Sequence, residues 1–175
     1  MRIRTVRPNN HRKAFEVVAG TKRYWFPYVQ LDVQPSRQDP VKRVYVDKEL
    51  GYEGFTYELA SGNQDTVHID HVLDYNRDPR YLQDLLLYKL TLAAQERVKA
   101  SPLSKRELIR RLGTSAAQFY RLLDQTNYAK SINQLISLLS ILDCDLDVVI
   151  KGRQERFGGN SDRRGDTSSH RVRVT

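Results

Sequence analysis

The residues best suited to chemistry in this sequence lie in one stretch, 104–124. Its second half combines two small residues with good hydrogen-bonding groups, namely Ala116, Ala117, Gln118, Tyr120 and Arg121. Gln and Arg side chains can reach base edges or phosphates when the end of a helix enters the major groove of DNA, which is about 12 Å wide. These residue types therefore indicate nucleic-acid contacts, provided that a helix presents them on one face.

The neighbouring residues predict that helix and another before it. Ser104, with Glu107 three residues later, is a capping box that begins a first helix over 104–112. Gly113 permits the left-handed turn that redirects the chain, and Ser115 can cap a second helix over 115–124. The buried face of that helix would consist of Phe119, Leu122 and Leu123. Any helical hairpin could show this pattern, so the pattern alone leaves DNA binding open.

This segment resembles the Xre/Cro-like helix-turn-helix family, which includes phage repressors and many antitoxins. The shared features are a glycine in the turn, a serine two residues later, a hydrophobic anchor in the second helix and an Arg-Leu-Leu-Asp ending. Here they are Gly113, Ser115, Phe119 and residues 121–124. One departure is Ile109, where the family usually has a small residue, and it implies a wider helix crossing or a shifted register.

The resemblance implies specific DNA contacts. The residues facing the groove would be Ser115, Ala116, Ala117, Gln118, Tyr120 and Arg121. Thr114 and Lys130 would lie near phosphates. Four basic residues of the first helix could add phosphate contacts or could equally form a solvated face: Lys105, Arg106, Arg110 and Arg111.

The rest of the chain predicts an α+β fold. Short β-branched and aromatic runs predict a small antiparallel β-sheet domain over residues 1–78. The runs are 3–6, 15–18, 24–31, 41–46, 55–59 and 67–69, with turns at 19–22 and 61–63. From Arg80 the apolar period becomes helical, which predicts a helix to about Lys99 and an all-α helix-turn-helix domain of four to five helices over 79–152.

The end of the chain predicts less regular structure. A further helix is expected over 131–142, and residues 146–151 are compatible with a C-terminal strand. That strand resembles those that pair between subunits in related antitoxins, which implies a homodimer on a palindromic operator. Residues 153–175 have too few apolar side chains to offset the entropy cost of ordering, so they are expected to be a disordered basic tail. The tail could strengthen nonspecific DNA binding or serve only as a linker or solubility segment.

Charge and composition indicate a polyanionic partner in a reducing compartment. The net charge is +8, and residues 80–152 hold 11 Lys/Arg against 7 Asp/Glu, whereas residues 1–79 hold 12 against 11. A basic surface releases counterions from phosphates on binding, although an idle basic surface would show the same bias. The chain has one cysteine and lacks a signal-peptide pattern or an apolar run that could span a membrane, so a cytoplasmic, nucleoid-associated protein is expected.

Rival sites are weaker. His68, Asp70 and His71, with Asp74, could be imagined as metal ligands, but in a strand they do not converge, so neither a metal nor a cofactor is predicted. Residues 24–26 beside Lys22 could stack single-stranded bases, yet a buried core strand explains them better. Because the sequence shows no phosphate loop, nucleophile elbow or catalytic pair, an enzyme is not expected.

Residues 54–59 and 67–70 resemble a small bacterial β-rich domain of unknown function, which implies dimerisation, partner binding or effector sensing for the N-terminal region. The function expected of the whole chain is sequence-specific, double-stranded DNA-binding transcription regulation, with the helix 115–124 in the major groove. The alternative is an antitoxin-like adaptor that acts mainly by binding a protein partner such as a toxin. A steep salt dependence of DNA affinity would separate the two.

Overall fold

The computed structural model describes residues 1–151 and 169–174, and these residues form a mixed α+β arrangement. The chain divides into two compact units, Met1–Leu86 and Leu87–Thr175. The division falls inside a helix, whereas the change of sequence period lies at Pro79. Within the described residues, none of the helices combines the length and the apolar character that crossing a membrane requires.

The first unit contains two antiparallel sheets where the sequence predicted one. Strands β1 (Ile3–Asn9), β2 (Ala14–Ala19) and β3 (Lys22–Pro27) form a sheet in the order β1-β2-β3. Strands β4 (Val41–Asp47), β5 (Gly54–Leu59) and β6 (Gln64–His68) form a second sheet in the order β4-β5-β6. All six predicted strands therefore form, although the run predicted over 24–31 ends as a strand at Pro27 and is followed by a short 3-10 helix, Tyr28–Gln30. The two predicted turns join β2 to β3 and β5 to β6.

The two sheets share one hydrophobic core. The central strands β2 and β5 direct alternate side chains inward, and Phe15, Phe55 and Tyr57 are fully buried. The ring centroid of Phe15 lies 5.0 Å from that of Phe55 and 5.2 Å from that of Tyr57. Burial of each large apolar side chain contributes roughly 1.5–3 kcal/mol, so contacts among these rings stabilise the packing of the two sheets.

Residues 69–75 form a helix, α1 (Ile69–Tyr75), where the sequence was interpreted as strand. His68 ends β6 in an extended conformation, and its Nδ1 accepts a hydrogen bond from the Asp70 N–H at 3.3 Å. Ile69, Val72 and Leu73 are buried at helical spacing, a period that is hard to recognise in so short a run. Among the described residues no group of three or more His, Cys, Asp or Glu is placed to hold a metal.

Asp78 begins the long helix α2 (Pro79–Ala100) and ties it to the first sheet. Its Oδ1 accepts the N–H groups of Arg80 at 3.1 Å and Tyr81 at 3.2 Å, and Pro79 occupies the first helical position. Its Oδ2 accepts Lys22 Nζ at 2.7 Å and Tyr24 OH at 2.9 Å. The hydrogen bond from Lys22, with further bonds from Tyr24 and Tyr81, lowers the pKa of Asp78 to about 2 although its burial opposes this.

The second unit contains three further helices and a pair of strands. Helices α3 (Lys105–Leu112), α4 (Ala116–Leu123) and α5 (Ile132–Ile141) lie within two residues of their predicted bounds. Their core, with that of the later part of α2, consists of Leu87, Ala94, Leu108, Phe119, Leu122, Leu135, Leu138 and Leu139.

The expected C-terminal strand is β7 (Leu146–Lys151), and its partner is β8 (Ser169–Val174) of the same chain. The expectation of disorder was therefore wrong for 169–174, because alternating residues such as Val172 and Val174 have a β7 backbone to pair with. The remainder of the predicted tail, 153–168 and Thr175, lies outside the described residues.

Candidate nucleic-acid interface

The turn between α3 and α4 is fixed by local hydrogen bonds at the predicted residues. Gly113 is left-handed, with φ 64° and ψ 35°, and its N–H donates to the carbonyl of Arg110 at 3.2 Å. The next N–H, of Thr114, donates to the carbonyl of Ile109 at 3.3 Å. This pair of bonds is a Schellman motif, which satisfies the last carbonyls of α3 while turning the chain.

Serines cap both helices. Ser104 Oγ accepts the Glu107 N–H at 3.2 Å, and Ser115 Oγ accepts the Gln118 N–H at 3.2 Å. Both predicted serine caps and the register of the turn are thereby confirmed, while the Glu107 carboxylate of the predicted capping box binds Arg110 and Arg111 instead of the main chain. Ile109 is half-buried against the core of the second unit, so the larger side chain is accommodated in the predicted register.

Helix α4 has one buried and one exposed face. Phe119 is 0% exposed and Leu122 is 3% exposed, while Leu123 is only half-buried. All five residues predicted to face the groove from α4 are exposed: Ala116, Ala117, Gln118, Tyr120 and Arg121. The helix therefore offers small residues at its N-terminal end and longer polar side chains one turn later.

Three side chains hold the C-terminal end of α4 by its main chain. The carbonyls of residues 121–124 would otherwise lack helical partners. Asn127 Nδ2 donates to the carbonyl of Arg121 at 3.1 Å, and Gln95 Nε2 donates to the carbonyl of Leu123 at 2.7 Å. The ammonium of Lys130 donates to the carbonyl of Leu122 at 3.0 Å and also to the carbonyl of Asp124. A positive charge at this end also complements the helix dipole.

Lys130 has a structural environment that differs from the predicted one. Besides the two carbonyls of α4, its Nζ donates to Oγ1 of the buried Thr91 at 2.9 Å, so its three N–H groups each have an acceptor inside the unit. Burial lowers the pKa of Lys130. The resemblance placed this residue near phosphates, but its ammonium is turned toward the protein, and we leave it out of the candidate interface.

The side chain of Gln118 is held in place from the turn. Thr114 Oγ1 donates to Gln118 Oε1 at 2.8 Å. The amide nitrogen of Gln118 keeps its two donors for other acceptors. Because the amide is already positioned, less side-chain freedom would be lost when it binds a ligand.

Lys105 and Tyr120 form a contact that the sequence did not predict. Lys105 Nζ lies 5.6 Å from the ring centroid of Tyr120, which is 55% exposed. This cation–π pair places a positive charge from α3 beside the exposed face of α4. The two residues are far enough apart in sequence that no local pattern reports their contact.

The four basic residues of α3 divide into two pairs. Arg110 makes two hydrogen bonds to the Glu107 carboxylate, at 2.9 and 2.6 Å, and Arg111 Nε makes one at 2.8 Å. These bonds lower the pKa of Glu107 to about 2, so the three side chains together carry one net positive charge at neutral pH. In the described part of the chain, Lys105 and Arg106 have no carboxylate partner. Arg110 and Arg111 therefore belong to a solvated ion-pair cluster, and a phosphate contact stays a prediction for Lys105 and Arg106.

Comparison of the chain with protein-family models, with curated proteins and with solved structures found no match. What the interface binds is therefore inferred from its own geometry and charge. The relevant features are the exposed face of α4, the anchored ends of that helix, and Lys105 and Arg106 of α3, which have no carboxylate partner among the described residues.

Proposed function

We propose that this chain is a sequence-specific, double-stranded DNA-binding transcriptional regulator of the Xre/Cro-like helix-turn-helix kind, and that α4 is its recognition helix. The observation that carries the proposal is the combination of a firmly anchored helix with an exposed face whose side chains are not part of the hydrophobic core. Ala116 and Ala117 allow close approach of the helix end to a groove. Gln118 and Arg121 are three residues apart, so they project from the same side.

The chemistry of that side suits base recognition. Arg can donate two hydrogen bonds to O6 and N7 of guanine, and Gln can pair with N6 and N7 of adenine. Thr114 and Ser115 lie at the N-terminal end of α4, where main-chain N–H groups and the helix dipole favour phosphate. Lys105 and Arg106 would add phosphate contacts that set the orientation of the helix without recognising sequence.

The proposal includes a homodimer acting on the bacterial nucleoid in the cytoplasm, as a binding protein and not an enzyme. A dimer would place two copies of α4 in successive major grooves, about one helical turn apart. Its operator would then be palindromic. This expectation follows from two-fold symmetry, because each subunit would contact the same half-site.

The first experiment is selection of bound fragments from random duplex DNA, with the full-length protein at near-physiological salt. A recovered palindrome supports a dimeric regulator and supplies its operator. A single half-site without a palindrome retains DNA recognition but removes the dimer. Recovery of no motif, together with weak binding, would overturn the proposal in favour of the adaptor that binds a protein partner.

The residue-level prediction concerns the exposed face of α4. Gln118→Ala and Arg121→Ala should each weaken binding to the selected operator by roughly 1–3 kcal/mol if the side chain recognises a base. Thermal stability should stay nearly unchanged because both side chains are exposed. Binding is measured by fluorescence anisotropy and stability by circular dichroism.

Matched controls exist on other exposed helix faces of the chain. Gln134→Ala in α5 and Arg97→Ala in α2 remove the same side chains from exposed positions outside the interface. These variants should bind the operator like the wild-type protein. Equal losses in the controls, or a loss of stability with binding intact in the α4 variants, would contradict the assignment of the face.

A further inference from the structure

The N-terminal unit carries a strong charge polarity that its overall balance conceals. Residues 1–27, which contain β1, β2 and β3, include seven Lys or Arg and one Asp or Glu. Residues 28–79 include five Lys or Arg and ten Asp or Glu. The first sheet is therefore basic, whereas the rest of this region is acidic.

Strand register places much of this charge on one surface. Phe15, Val17, Tyr24 and Phe26 point into the core, so the alternate residues of β2 and β3 point outward. Arg7, Glu16 and Trp25 lie directly opposite one another across the three strands. The next outward row contains Thr5, Val18 and Arg23. Neighbouring strands are about 4.8 Å apart, so each row spans about 10 Å.

A β-bulge adds another arginine to the exposed side of β1. The pairing of β1 with β2 shifts between Ile3 and Thr5, with Arg4 as the extra residue. Ile3 is buried and Val6 is half-buried, while Arg4 and Thr5 between them are both exposed. The bulge thus lets two consecutive side chains avoid the core, and Arg4 joins the charged surface.

Trp25 holds a further guanidinium on this side of the sheet. The Arg12 guanidinium lies 4.5 Å from the centroid of the Trp25 ring. Because the cation already occupies that ring face, Trp25 fixes the position of the charge instead of offering a platform for a base.

The acidic residue of these strands, Glu16, is paired with Arg23 at 2.8 Å. In the part of the chain that the structure describes, Arg4, Arg7 and Arg12 have no carboxylate partner. The surface therefore keeps a net positive charge made of guanidinium groups, which bind phosphate through two parallel hydrogen bonds.

We propose that this surface, the basic sheet face formed by Arg4, Arg7, Arg12, Arg23 and Trp25, is a second nucleic-acid-binding site that holds the phosphate backbone without recognising sequence. Charge complementarity identifies the occupant, since three unpaired guanidinium groups on a sheet surface match a row of phosphates. Arg12 covers one face of the Trp25 ring, which reduces the ring surface available for stacking on a base and favours phosphate over base contacts. The proposal does not depend on the role of α4.

The test compares two triple variants of the full chain that lose the same charge. R4Q/R7Q/R12Q removes the unpaired cations of the basic sheet face. R37Q/R43Q/K48Q removes three cations from residues 28–79, and it also breaks a cation–π contact, because Arg43 lies 4.9 Å from the Tyr45 ring centroid. Both are measured against a short duplex without the selected motif and against one of its single strands, over a range of salt concentrations.

The expected result is a less steep plot of log affinity against log salt for R4Q/R7Q/R12Q. Each lost phosphate contact reduces the slope by about 0.9 on duplex and about 0.7 on single strand, so three contacts give changes of about 3 and about 2. The control triple should keep a nearly wild-type slope. R4K/R7K/R12K should largely restore the slope, because neutralisation of phosphate requires charge and not a particular shape.

Equal changes in the two glutamine triples, or no change in either, would overturn the proposal. A change on single strand alone would replace phosphate binding with single-strand recognition and would overturn it as stated. The same measurements in a Q118A/R121A background separate this site from α4. If no operator motif is selected but the slope still changes, the basic sheet face stands while the proposed regulator fails. If a motif is selected and the two glutamine triples behave alike, the proposed regulator stands while the basic sheet face fails.

Discussion

At the scale of single residues, Lys130 shows how a surface cation can become part of the scaffold. Its ammonium contacts two carbonyls at the end of α4 and the hydroxyl of Thr91 in α2. It therefore connects the loop that follows α4 to two helices. Hydrogen bonds to a charged donor contribute more than neutral ones, and an acceptor left without its donor costs free energy when water cannot replace it.

We expect Lys130→Met to lower the free energy of unfolding of the second unit by about 2 kcal/mol, since methionine keeps the apolar stem but removes three donors. The measurement is chemical denaturation followed by far-UV circular dichroism. Lys99→Met, at an exposed position in α2, is the control and should change stability by less than about 0.5 kcal/mol. Weakened DNA binding at unchanged stability would instead restore Lys130 as a phosphate contact.

At the scale of secondary-structure elements, the start of α2 depends on a single buried carboxylate. Asp78 caps the helix with one oxygen and binds β3 with the other. It is 4% exposed, so its charge is stabilised by these donors and not by water. Its pKa falls from the ordinary value of 3.8 to about 2, chiefly through the hydrogen bond from Lys22.

This lowered pKa predicts a pH-dependent contribution to stability. The unfolded chain binds a proton at this carboxyl more readily than the folded chain does, so the contribution is fully present above about pH 4 and is lost as the pH falls toward 2. Asp78→Asn should lower the free energy of unfolding by about 2 kcal/mol at neutral pH, and the difference from the wild-type protein should nearly vanish near pH 2. Urea unfolding at several pH values measures this.

Asp74→Asn, on the exposed side of α1, serves as the control for that series and should follow the wild-type curve. If the free energies of unfolding of Asp78→Asn and the wild-type protein differ by the same amount at every pH, the carboxylate acts through packing or geometry alone. In that case its charge would contribute nothing to the pH dependence.

The elements that the sequence predicted well are those whose governing contacts are local. Ser104, Gly113 and Ser115 act on main-chain groups within five residues, so the caps and the turn could be inferred from spacing alone. Helix α1 was missed because three apolar residues in a seven-residue element are too few to establish a helical period. The contacts that turn Lys130 toward the protein could not be predicted, since its hydroxyl partner lies 39 residues earlier, and the Gln95 bond to α4 spans 28 residues.

At the scale of the whole molecule, the chain consists of two units with separate hydrophobic cores. Charge counted along the sequence placed the basic excess in the C-terminal half. Folding adds a second basic surface in the first unit, because strand alternation and a bulge place Arg4, Arg7 and Arg23 on one side of a sheet and the Trp25 ring holds Arg12 beside them. A count over 79 residues could not show this, since the acidic loops and strands that follow cancel it.

The two cores predict separable unfolding. Trp25, the only tryptophan in the chain, lies in the first unit, so its fluorescence reports that unit, while most of the helical signal in circular dichroism comes from the second unit, from α2 beyond Leu87 and from α3 to α5. We expect Asp78→Asn to shift the fluorescence midpoint and Lys130→Met to shift the dichroism midpoint, each with little effect on the other probe. Coincident shifts of both probes would mean that the chain unfolds as one cooperative body.

The way in which α4 is held also bears on how the protein can diverge. Gln95, Asn127 and Lys130 bind main-chain carbonyls, which every amino acid provides. Within α4 the side chains that pack in the core are Phe119, Leu122 and the half-buried Leu123. A duplicated gene could therefore change the exposed residues of this helix one by one without an intervening loss of the fold. New target preferences would be within reach of a few substitutions on eight consecutive residues, while the supporting helices stay unaltered.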